Sequence, residues 1–234
     1  MVYTPRMLAC LYDIHGNLPA LEAVLADAEA QGASRWMLGG DYALFGGWPR
    51  ETVERLRDLD NATWIRGNGE RWTRDVDDAP DNPVVRSAIA SVRAALGKEL
   101  VAGMADIEQL AQDRDALICH ASPPSDERSF FPEPADDEAE LLAGVHHPRV
   151  VFGHTHLPFR RISAVHGTEL INPGSVGLPF DHDTRAAYAL LHRDRTVEHR
   201  RVEYDHAAVA ARLRDIDEPW TETVARRVEH ARPD

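Results

Sequence analysis

The chain has 234 residues, and its 26 lysine and arginine residues are outnumbered by 39 aspartate and glutamate residues, for a net charge of −13. Broad binding to nucleic acid or to an anionic membrane surface is disfavoured, since both need clustered positive charge. A composition of 43% hydrophobic and 28% charged residues is typical of a globular chain, and no apolar run reaches the ~20 residues of a membrane span. We predict a cytoplasmic protein with a single domain over residues 1–234.

Short apolar runs separated by helical patterns predict a βαβαβ unit at the start of the chain. Strands are expected at residues 7–12, 35–38 and 63–65. Asn17 can cap the first helix, which carries Pro19 at its second position and ends at Gly32, and the second helix is expected at residues 49–59. This pattern is typical of a parallel, right-handed, doubly wound α/β sheet.

In the remainder of the chain, the predicted secondary-structure pattern changes after residue 152. Before that point we predict an acidic loop at 75–83, helices at 84–96, 98–111 and 136–145, and strands at 116–119 and 149–152. Beyond it, short strand candidates separated by turns indicate a second, antiparallel sheet, at residues 159–165, 169–171, 187–192 and 196–204. From His206 the pattern is that of an amphipathic helix, whose apolar face would permit a homo-oligomer.

Five polar motifs each follow a predicted strand, which is where open α/β sheets place their binding sites. In chain order they are Asp13-Ile14-His15, Gly40-Asp41, Gly67-Asn68, His120 and Gly153-His154-Thr155-His156. An Asp-x-His triplet is expected by chance in such a chain, whereas Gly-His-x-His is rare. Together they offer the nitrogen and oxygen donors that divalent ions prefer, and a shared aspartate can hold two ions about 3.5–4 Å apart for hydrolysis at phosphorus.

These motifs, in this order, resemble those of the calcineurin-like metallophosphoesterases, of the small bacterial and archaeal phosphodiesterase type. The likeness continues through residues 13–22 and 171–177, so it spans roughly residues 7–190. The resemblance implies a four-layer α/β/β/α sandwich. It also implies a hydrolase of small phosphate esters, most simply a phosphodiesterase.

The resemblance assigns a role to each residue of the motifs. Asp13, His15 and His156 would bind one metal ion, Asn68, His120 and His154 a second, and Asp41 would bridge the two. Asp41, Asn68 and His120 would also be catalytic, since a bridging hydroxide would attack phosphorus in line while the ions stabilise charge on the phosphoryl oxygens. Mn²⁺ is the expected ion, and Fe, Ni, Co or Zn would fit the same donors.

One position departs from the family pattern Gly-Asn-His-[Asp/Glu]. The chain has Gly69 in place of the histidine that protonates the leaving group, followed by Glu70, the carboxylate that would have oriented it. General acid catalysis typically contributes about 10²–10⁴-fold and matters most for poor leaving groups. We therefore predict a preference for aryl phosphodiesters and 2′,3′-cyclic nucleotides over alkyl monoesters, with Tyr12, His182 or a metal-bound water as alternative proton donors.

Four further residues are candidates for contacts with the substrate: Asn17, Trp72, His182 and Arg185. Structural roles compete with this interpretation, namely a helix cap for Asn17, loop packing for Trp72 and a surface ion pair for Arg185. Two other functions stay open. One is a phosphomonoesterase, including a nucleotide or phosphoprotein phosphatase; the other is a metal-poor, protein-binding scaffold of the same fold, which the complete set of seven ligands disfavours.

Overall fold

The computed structural model describes residues 7–233, which form two five-stranded sheets with helices. The strands are β1 (Met7–Leu11), β2 (Ala33–Leu38), β3 (Ala62–Trp64), β4 (Ala111–Asp113), β5 (Ala116–Ile118), β6 (Arg149–Val151), β7 (Phe159–Ile162), β8 (Glu169–Asn172), β9 (Ala186–Leu191) and β10 (Val197–Val202). The spatial order is β10-β9-β1-β2-β3 in the first sheet and β4-β5-β6-β8-β7 in the second.

Eight α-helices are assigned within the described residues. They are α1 (Leu18–Ala30), α2 (Pro49–Arg57), α3 (Asn68–Arg74), α4 (Pro83–Leu96), α5 (Lys98–Ala105), α6 (Glu138–Leu141), α7 (His206–Ile216) and α8 (Thr221–His230). None of the helices in residues 7–233 is long and apolar enough to cross a membrane.

Strand β1 is buried on both faces, because one face packs against the helices and the other against the second sheet. Ala9 and Leu11 point into the core shared with the helices, while Leu8 and Cys10 point into the core between the two sheets. Successive side chains of a strand alternate between its faces, so a continuous apolar run such as this one is buried on both sides. The strand predicted at residues 7–12 is thereby confirmed, and both of its faces are covered.

Three hydrophobic clusters define the layers. The first joins the first sheet to most of the helices, and the second lies between the sheets, where Met37 of β2 meets Val151 of β6. The third covers the outer face of the second sheet with Phe130, Leu141 and neighbouring residues. The predicted α/β/β/α sandwich is thereby confirmed, with the short α6 and the loop before it as the thin outer layer.

The prediction that the later strands form a separate antiparallel sheet is wrong, because both sheets are mixed. Strand β9 pairs antiparallel with β1, and β10 extends the first sheet beside it. In the second sheet β5, β6 and β8 run parallel, flanked by antiparallel β4 and β7. Every residue of β9 is buried. Such a strand belongs inside a sheet whose two faces are both packed against other layers.

Several predicted boundaries also need correction. Helix α3 was expected to be a loop, and the helix predicted at 98–111 ends at Ala105, because the residues from Ala111 pair with β5 as strand β4. The helix predicted at 136–145 is reduced to the four residues of α6. The C-terminal helical stretch is interrupted at Asp217, whose φ of 55° ends α7 before α8 begins.

Candidate metal centre

The structure brings all seven predicted ligands to one place. Asp13 and His15 follow β1, Asp41 follows β2, Asn68 is the first residue of α3, His120 follows β5, and His154 and His156 follow β6. Six of the seven are buried, and His154 is partly exposed. Since β1, β2 and β3 are parallel, as are β5 and β6, their carboxyl ends converge and carry these side chains toward one another.

The backbone at these residues is unusual. Five of the seven have a positive φ: Asp13 (55°), His15 (49°), Asp41 (57°), His154 (66°) and His156 (58°). Non-glycine residues adopt this left-handed conformation in only a few per cent of cases, and such strained positions cluster at functional sites. The fold therefore holds these side chains in conformations that the local sequence would not choose.

One half of the centre is built around His15 and His156. Their Nδ1 atoms lie 2.8 Å from the Leu44 carbonyl oxygen and 2.5 Å from the Leu178 carbonyl oxygen, respectively. A carbonyl can only accept, so each Nδ1 carries the hydrogen and each Nε2 is left as an acceptor. The two Nε2 atoms face each other at 3.1 Å. Two nitrogen lone pairs in this arrangement repel unless a cation lies between or beside them.

The other half is built around Asn68. Its Oδ1 lies 3.0 Å from His120 Nε2 and 2.9 Å from His154 Nδ1. His120 Nδ1 is 2.8 Å from the Gly39 carbonyl oxygen, so its Nε2 is again an acceptor, here facing a second acceptor. His120 thus repeats the arrangement of the first half: a backbone carbonyl orients the imidazole, and the free nitrogen points into the centre.

Asp41 stands between the halves. Its Oδ2 is 3.9 Å from His15 Nε2 in the first half, and its Oδ1 is 3.6 Å from His120 Nε2 in the second. Asp13 Oδ1 is buried without a hydrogen-bond partner among residues 7–233, and it lies 3.6 Å from His156 Nε2. Buried carboxylate oxygens are normally partnered, so an orphaned one points to a missing cation.

These contacts test whether the residues fit divalent metal ions. His15 Nε2 faces His156 Nε2 and His120 Nε2 faces Asn68 Oδ1, so two pairs of acceptors meet in the cluster. Two sets of three side chains also bring ligand atoms within 4.8 Å of one another: Asp13, His15 and His156, and Asp13, Asp41 and His120. Imidazole nitrogens and carboxylate oxygens suit Mn, Fe, Co, Ni or Zn. The donor set fits.

Burial shifts the pKa values of the predicted metal ligands. It lowers the pKa of His15 to about 4 and that of His154 to about 3, so both imidazoles are neutral at pH 7 and able to ligate. Burial also raises the pKa of Asp41 to about 7. The pKa of Asp13 is raised by its burial and by the charge of Asp41. A nearby cation would favour the ionised carboxylates.

Metal binding is therefore expected to be pH-dependent through Asp41. Its pKa rises from 3.8 to about 7 on folding, so in the metal-free protein its protonation contributes stability that is complete below pH 3.8 and lost as the pH rises through 7. Below pH 7 a metal ion must displace this proton, which weakens binding by up to about tenfold per pH unit. We expect Mn²⁺ to raise the melting temperature more at pH 8 than at pH 6. An equal increase at both pH values would contradict this.

Glu70, to which the sequence assigns no role in the absence of a histidine at position 69, binds three backbone N–H groups. Its Oε2 accepts hydrogen bonds from the backbone N–H groups of Asp41 (2.9 Å) and Gly67 (2.8 Å), and its Oε1 accepts one from Tyr42 (2.9 Å). Burial raises the pKa of Glu70 to about 7, while these three donors favour its ionised form. The carboxylate thus ties the loop of Asp41 to the turn before Asn68, and so positions two ligands at once.

The glycine that replaces the expected histidine touches Asp41 directly. The Gly69 N–H donates to Asp41 Oδ1 at 2.7 Å. A Cβ at position 69 would lie 2.8 Å from the same oxygen, closer than real Cβ contacts, so any larger residue requires Asp41 to shift. Gly69 therefore allows the carboxylate to approach the start of α3.

The structure gives Tyr12 and His182, the predicted substitute proton donors, other positions and partners. The Tyr12 hydroxyl donates to the Val151 carbonyl oxygen at 3.1 Å, and its ring belongs to the core between the sheets. His182 is exposed, and its backbone N–H donates to the Ala231 carbonyl oxygen at 2.9 Å. The structure thus assigns Tyr12 to packing and leaves the His182 side chain at the surface.

The other candidates for substrate contacts have structural partners. Asn17 is buried; its Oδ1 caps α1 by accepting from Ala20 N at 3.2 Å, and its Nδ2 donates to the Gly177 carbonyl oxygen at 2.8 Å. Trp72 is buried on α3 rather than in a loop as predicted, and its indole N–H donates to Glu127 at 3.2 Å. Arg185 is exposed and pairs with Asp183 at 2.7 Å.

Two aromatic rings beside the centre were not predicted from the sequence. Phe180 stacks on His156 with ring centroids 4.4 Å apart, and Phe45 lies 6.0 Å from His15. Both phenylalanines are partly exposed. Neither lies in a recognisable motif; their proximity to the centre follows from the course of the loops after β2 and β8.

The fold and the site together define the class of protein. The sequence profile of the calcineurin-like phosphoesterase superfamily domain matches residues 7–196. The chain belongs to the calcineurin-like phosphoesterase superfamily, which indicates a phosphoric ester hydrolase that uses divalent metal ions. The predicted family is thereby confirmed.

Three individual proteins are similar to this chain in sequence or in structure. The chain is 30% identical over 222 residues to the uncharacterized protein MJ0912 of Methanocaldococcus jannaschii, covering 85% of this chain and 88% of that protein. It resembles a metallophosphoesterase from Sphaerobacter thermophilus at 29% identity and a TM-score of 0.82, covering 97% of this chain and 100% of the other. The hypothetical protein PH1004 from Pyrococcus horikoshii OT3 shares the fold at 20% identity, with a TM-score of 0.85 over 96% of this chain and 98% of its own.

Proposed function

We propose that the protein is a dinuclear metal-dependent phosphodiesterase acting on small phosphodiesters. The observation that carries the proposal is the position of Asp41, whose two carboxylate oxygens face His15 in one half of the centre and His120 in the other. A carboxylate shared in this way suits two ions a few ångströms apart, the arrangement used for hydrolysis at phosphorus. Mn²⁺ is the working ion, with Fe, Co, Ni and Zn as alternatives.

The charge of the centre supports a phosphate ester as substrate. When bound, two divalent ions supply Lewis-acid charge that stabilises the phosphoryl oxygens during hydrolysis. Their four positive charges exceed the two negative charges of Asp13 and Asp41, so the site would attract an anion although the chain carries a net charge of −13. The chain's own contribution is to hold the ligands rigidly, through backbone carbonyls on the imidazoles and Glu70 on the loops.

The absence of a proton-donating side chain at Gly69 supports the finer part of the proposal, a preference for diesters with good or strained leaving groups. Position 69 has no side chain to protonate a leaving oxygen, Tyr12 is committed to the Val151 carbonyl, and the His182 side chain is exposed. Such a site is best suited to aryl phosphodiesters, whose phenolate leaving groups need little protonation, and to 2′,3′-cyclic nucleotides, whose strained ring favours cleavage. The cytoplasmic location and the homo-oligomeric state are predictions from the sequence.

The test is a substrate panel run on Mn²⁺-loaded and chelator-treated protein, with metal content counted by mass spectrometry. We expect about two ions per chain, turnover of bis(p-nitrophenyl) phosphate above that of p-nitrophenyl phosphate, and loss of both activities on chelation. Gly69→His should shift the ratio toward the monoester relative to Gly69→Ala, since both variants crowd Asp41 equally and differ only in the imidazole. Wild-type protein that binds no metal and hydrolyses no ester would refute the proposal.

A further inference from the structure

The loop that follows His120 carries a buried carboxylate next to the metal centre. Asp126 lies in this loop, is 7% exposed, and lines a narrow crevice together with Arg66 and His120 itself. The Ser122 N–H donates to the Ser125 carbonyl oxygen at 2.9 Å, and the Ser125 N–H donates to the Ser122 carbonyl oxygen at 3.1 Å. These two hydrogen bonds fix the shape of the loop between His120 and Asp126.

Asp126 pairs with two arginines, one on each side of Asn68 in the chain. Its Oδ2 accepts a hydrogen bond from Arg71 Nε and its Oδ1 accepts one from Arg71 Nη2, both at 2.8 Å. Asp126 Oδ2 also lies 3.6 Å from Arg66 Nη1. Arg71 belongs to α3 and Arg66 to the turn before it, so a single carboxylate holds the chain before and after Asn68. We call these three residues the Asp126 clamp.

The clamp joins the two segments that supply ligands to one half of the centre. Asn68 enters the centre from α3 and His120 from the loop after β5, where Asn68 Oδ1 lies 3.0 Å from His120 Nε2. Asp126 belongs to the second of these segments, and its arginine partners flank Asn68 in the first. A bidentate arginine–carboxylate pair fixes geometry as well as charge, so the clamp sets the position of Asn68 relative to His120.

The other half of the centre is oriented by different contacts. Nδ1 of His15 lies 2.8 Å from the Leu44 carbonyl oxygen, and Nδ1 of His156 lies 2.5 Å from the Leu178 carbonyl oxygen. Leu44 and Leu178 belong to the loops after β2 and β8, whereas the Asp126 clamp joins the loop after β5 to α3. The two halves therefore rest on separate supports.

We propose that Asp126 is a positioning residue for the metal ion in the half of the centre built around Asn68. This inference rests on the proposed dinuclear centre and adds an asymmetry to it. Removing one partner from a buried ion pair leaves an uncompensated charge, and here that charge lies on the two arginines that flank Asn68. Loss of the clamp should therefore convert a centre with two ions into one with a single ion, held by His15 and His156.

The experiment compares Asp126→Asn with Asp137→Asn, a control that removes the same charge from a surface pair with Arg128 at 3.1 Å. Chelator-treated proteins are titrated with Mn²⁺ by calorimetry, and electron paramagnetic resonance distinguishes two magnetically coupled Mn²⁺ ions from an isolated one. In Asp126→Asn we expect the first ion to bind as in the wild type and the second to bind about 10–100-fold more weakly, as is typical when the partners of ligands are removed.

Two further readouts separate positioning from a general loss of structure. Diester hydrolysis by Asp126→Asn should fall at limiting Mn²⁺ and recover at saturating Mn²⁺, because the ligands themselves are intact. Asp126→Glu keeps the charge and should recover part of the affinity for the second ion, while Asp137→Asn should match the wild type throughout. If Asp126→Asn does not fold, Asp126→Glu decides the question, since it should still weaken the second ion more than the first.

Equal weakening of both ions in Asp126→Asn would overturn the proposal, as would a coupled Mn²⁺ spectrum that forms at the same metal concentration as in the wild type. If the wild type binds two ions but hydrolyses no ester, while Asp126→Asn loses the second ion, the phosphodiesterase assignment fails and the role of Asp126 stands. A wild type that binds a single ion would overturn this inference together with the dinuclear centre.

Discussion

Replacing Asp41 with asparagine is expected to reduce kcat/KM for an aryl phosphodiester by on the order of 10³-fold or more. The carboxylate faces His15 through one oxygen and His120 through the other, at 3.9 and 3.6 Å. An asparagine has a single acceptor oxygen and no charge, so it can serve one half of the centre but not both. We also expect fewer than two metal ions per chain in this variant.

Metal content and kinetics, measured on the same preparations, check this expectation. A suitable control is Asp60→Asn, because Asp60 is exposed just before β3, at the opposite end of the strand from the site. The control should retain both metal ions and full activity. An Asp41→Asn protein that keeps two ions and wild-type turnover would show that the two halves do not depend on a shared carboxylate.

Replacing Glu70 is expected to have the next largest effect, although its side chain is not proposed as a metal ligand. Glutamine has almost the same shape, but its NH₂ group would face a backbone N–H that now donates to the carboxylate. We expect Glu70→Gln to lower the free energy of unfolding by about 1–3 kcal/mol, the typical cost of leaving a buried donor unsatisfied. Glu70→Ala orphans the N–H groups of Asp41, Tyr42 and Gly67 and should cost more.

Denaturant unfolding of the chelator-treated proteins measures this loss, and metal titration shows its consequence for the site. Because Glu70 ties the Asp41 loop to the turn before Asn68, metal affinity should fall by about 10–100-fold, as is typical when the partners of ligands are removed. Glu22→Gln, an exposed residue paired with Arg55 at 2.9 Å, provides the neutralisation control. If Glu70→Gln binds metal like the wild type, the loops are held by other contacts.

Much of the fold and most of the centre could be predicted from the sequence for local reasons. The apolar run of β1 requires burial on both faces, and Asn17 before Pro19 signals the start of α1; both features depend only on neighbouring residues. The Gly-His-x-His motif is rare enough to mark a site by itself. The order of five motifs after five strands then led to the family, and the structure brings their side chains together.

Other features were decided only by the tertiary structure, because they depend on pairing partners far apart in the sequence. The pattern of β9 shows a strand but not that it lies beside β1, about 180 residues earlier, rather than in a sheet of its own. The sequence assigns no role to Glu70 in the absence of a histidine at position 69, and only the approach of the Asp41 loop reveals its three N–H partners. Likewise Trp72 and Phe180 acquire their positions from packing. A sequence determines which groups must be buried or can bind a metal, whereas the three-dimensional fold decides which of them meet.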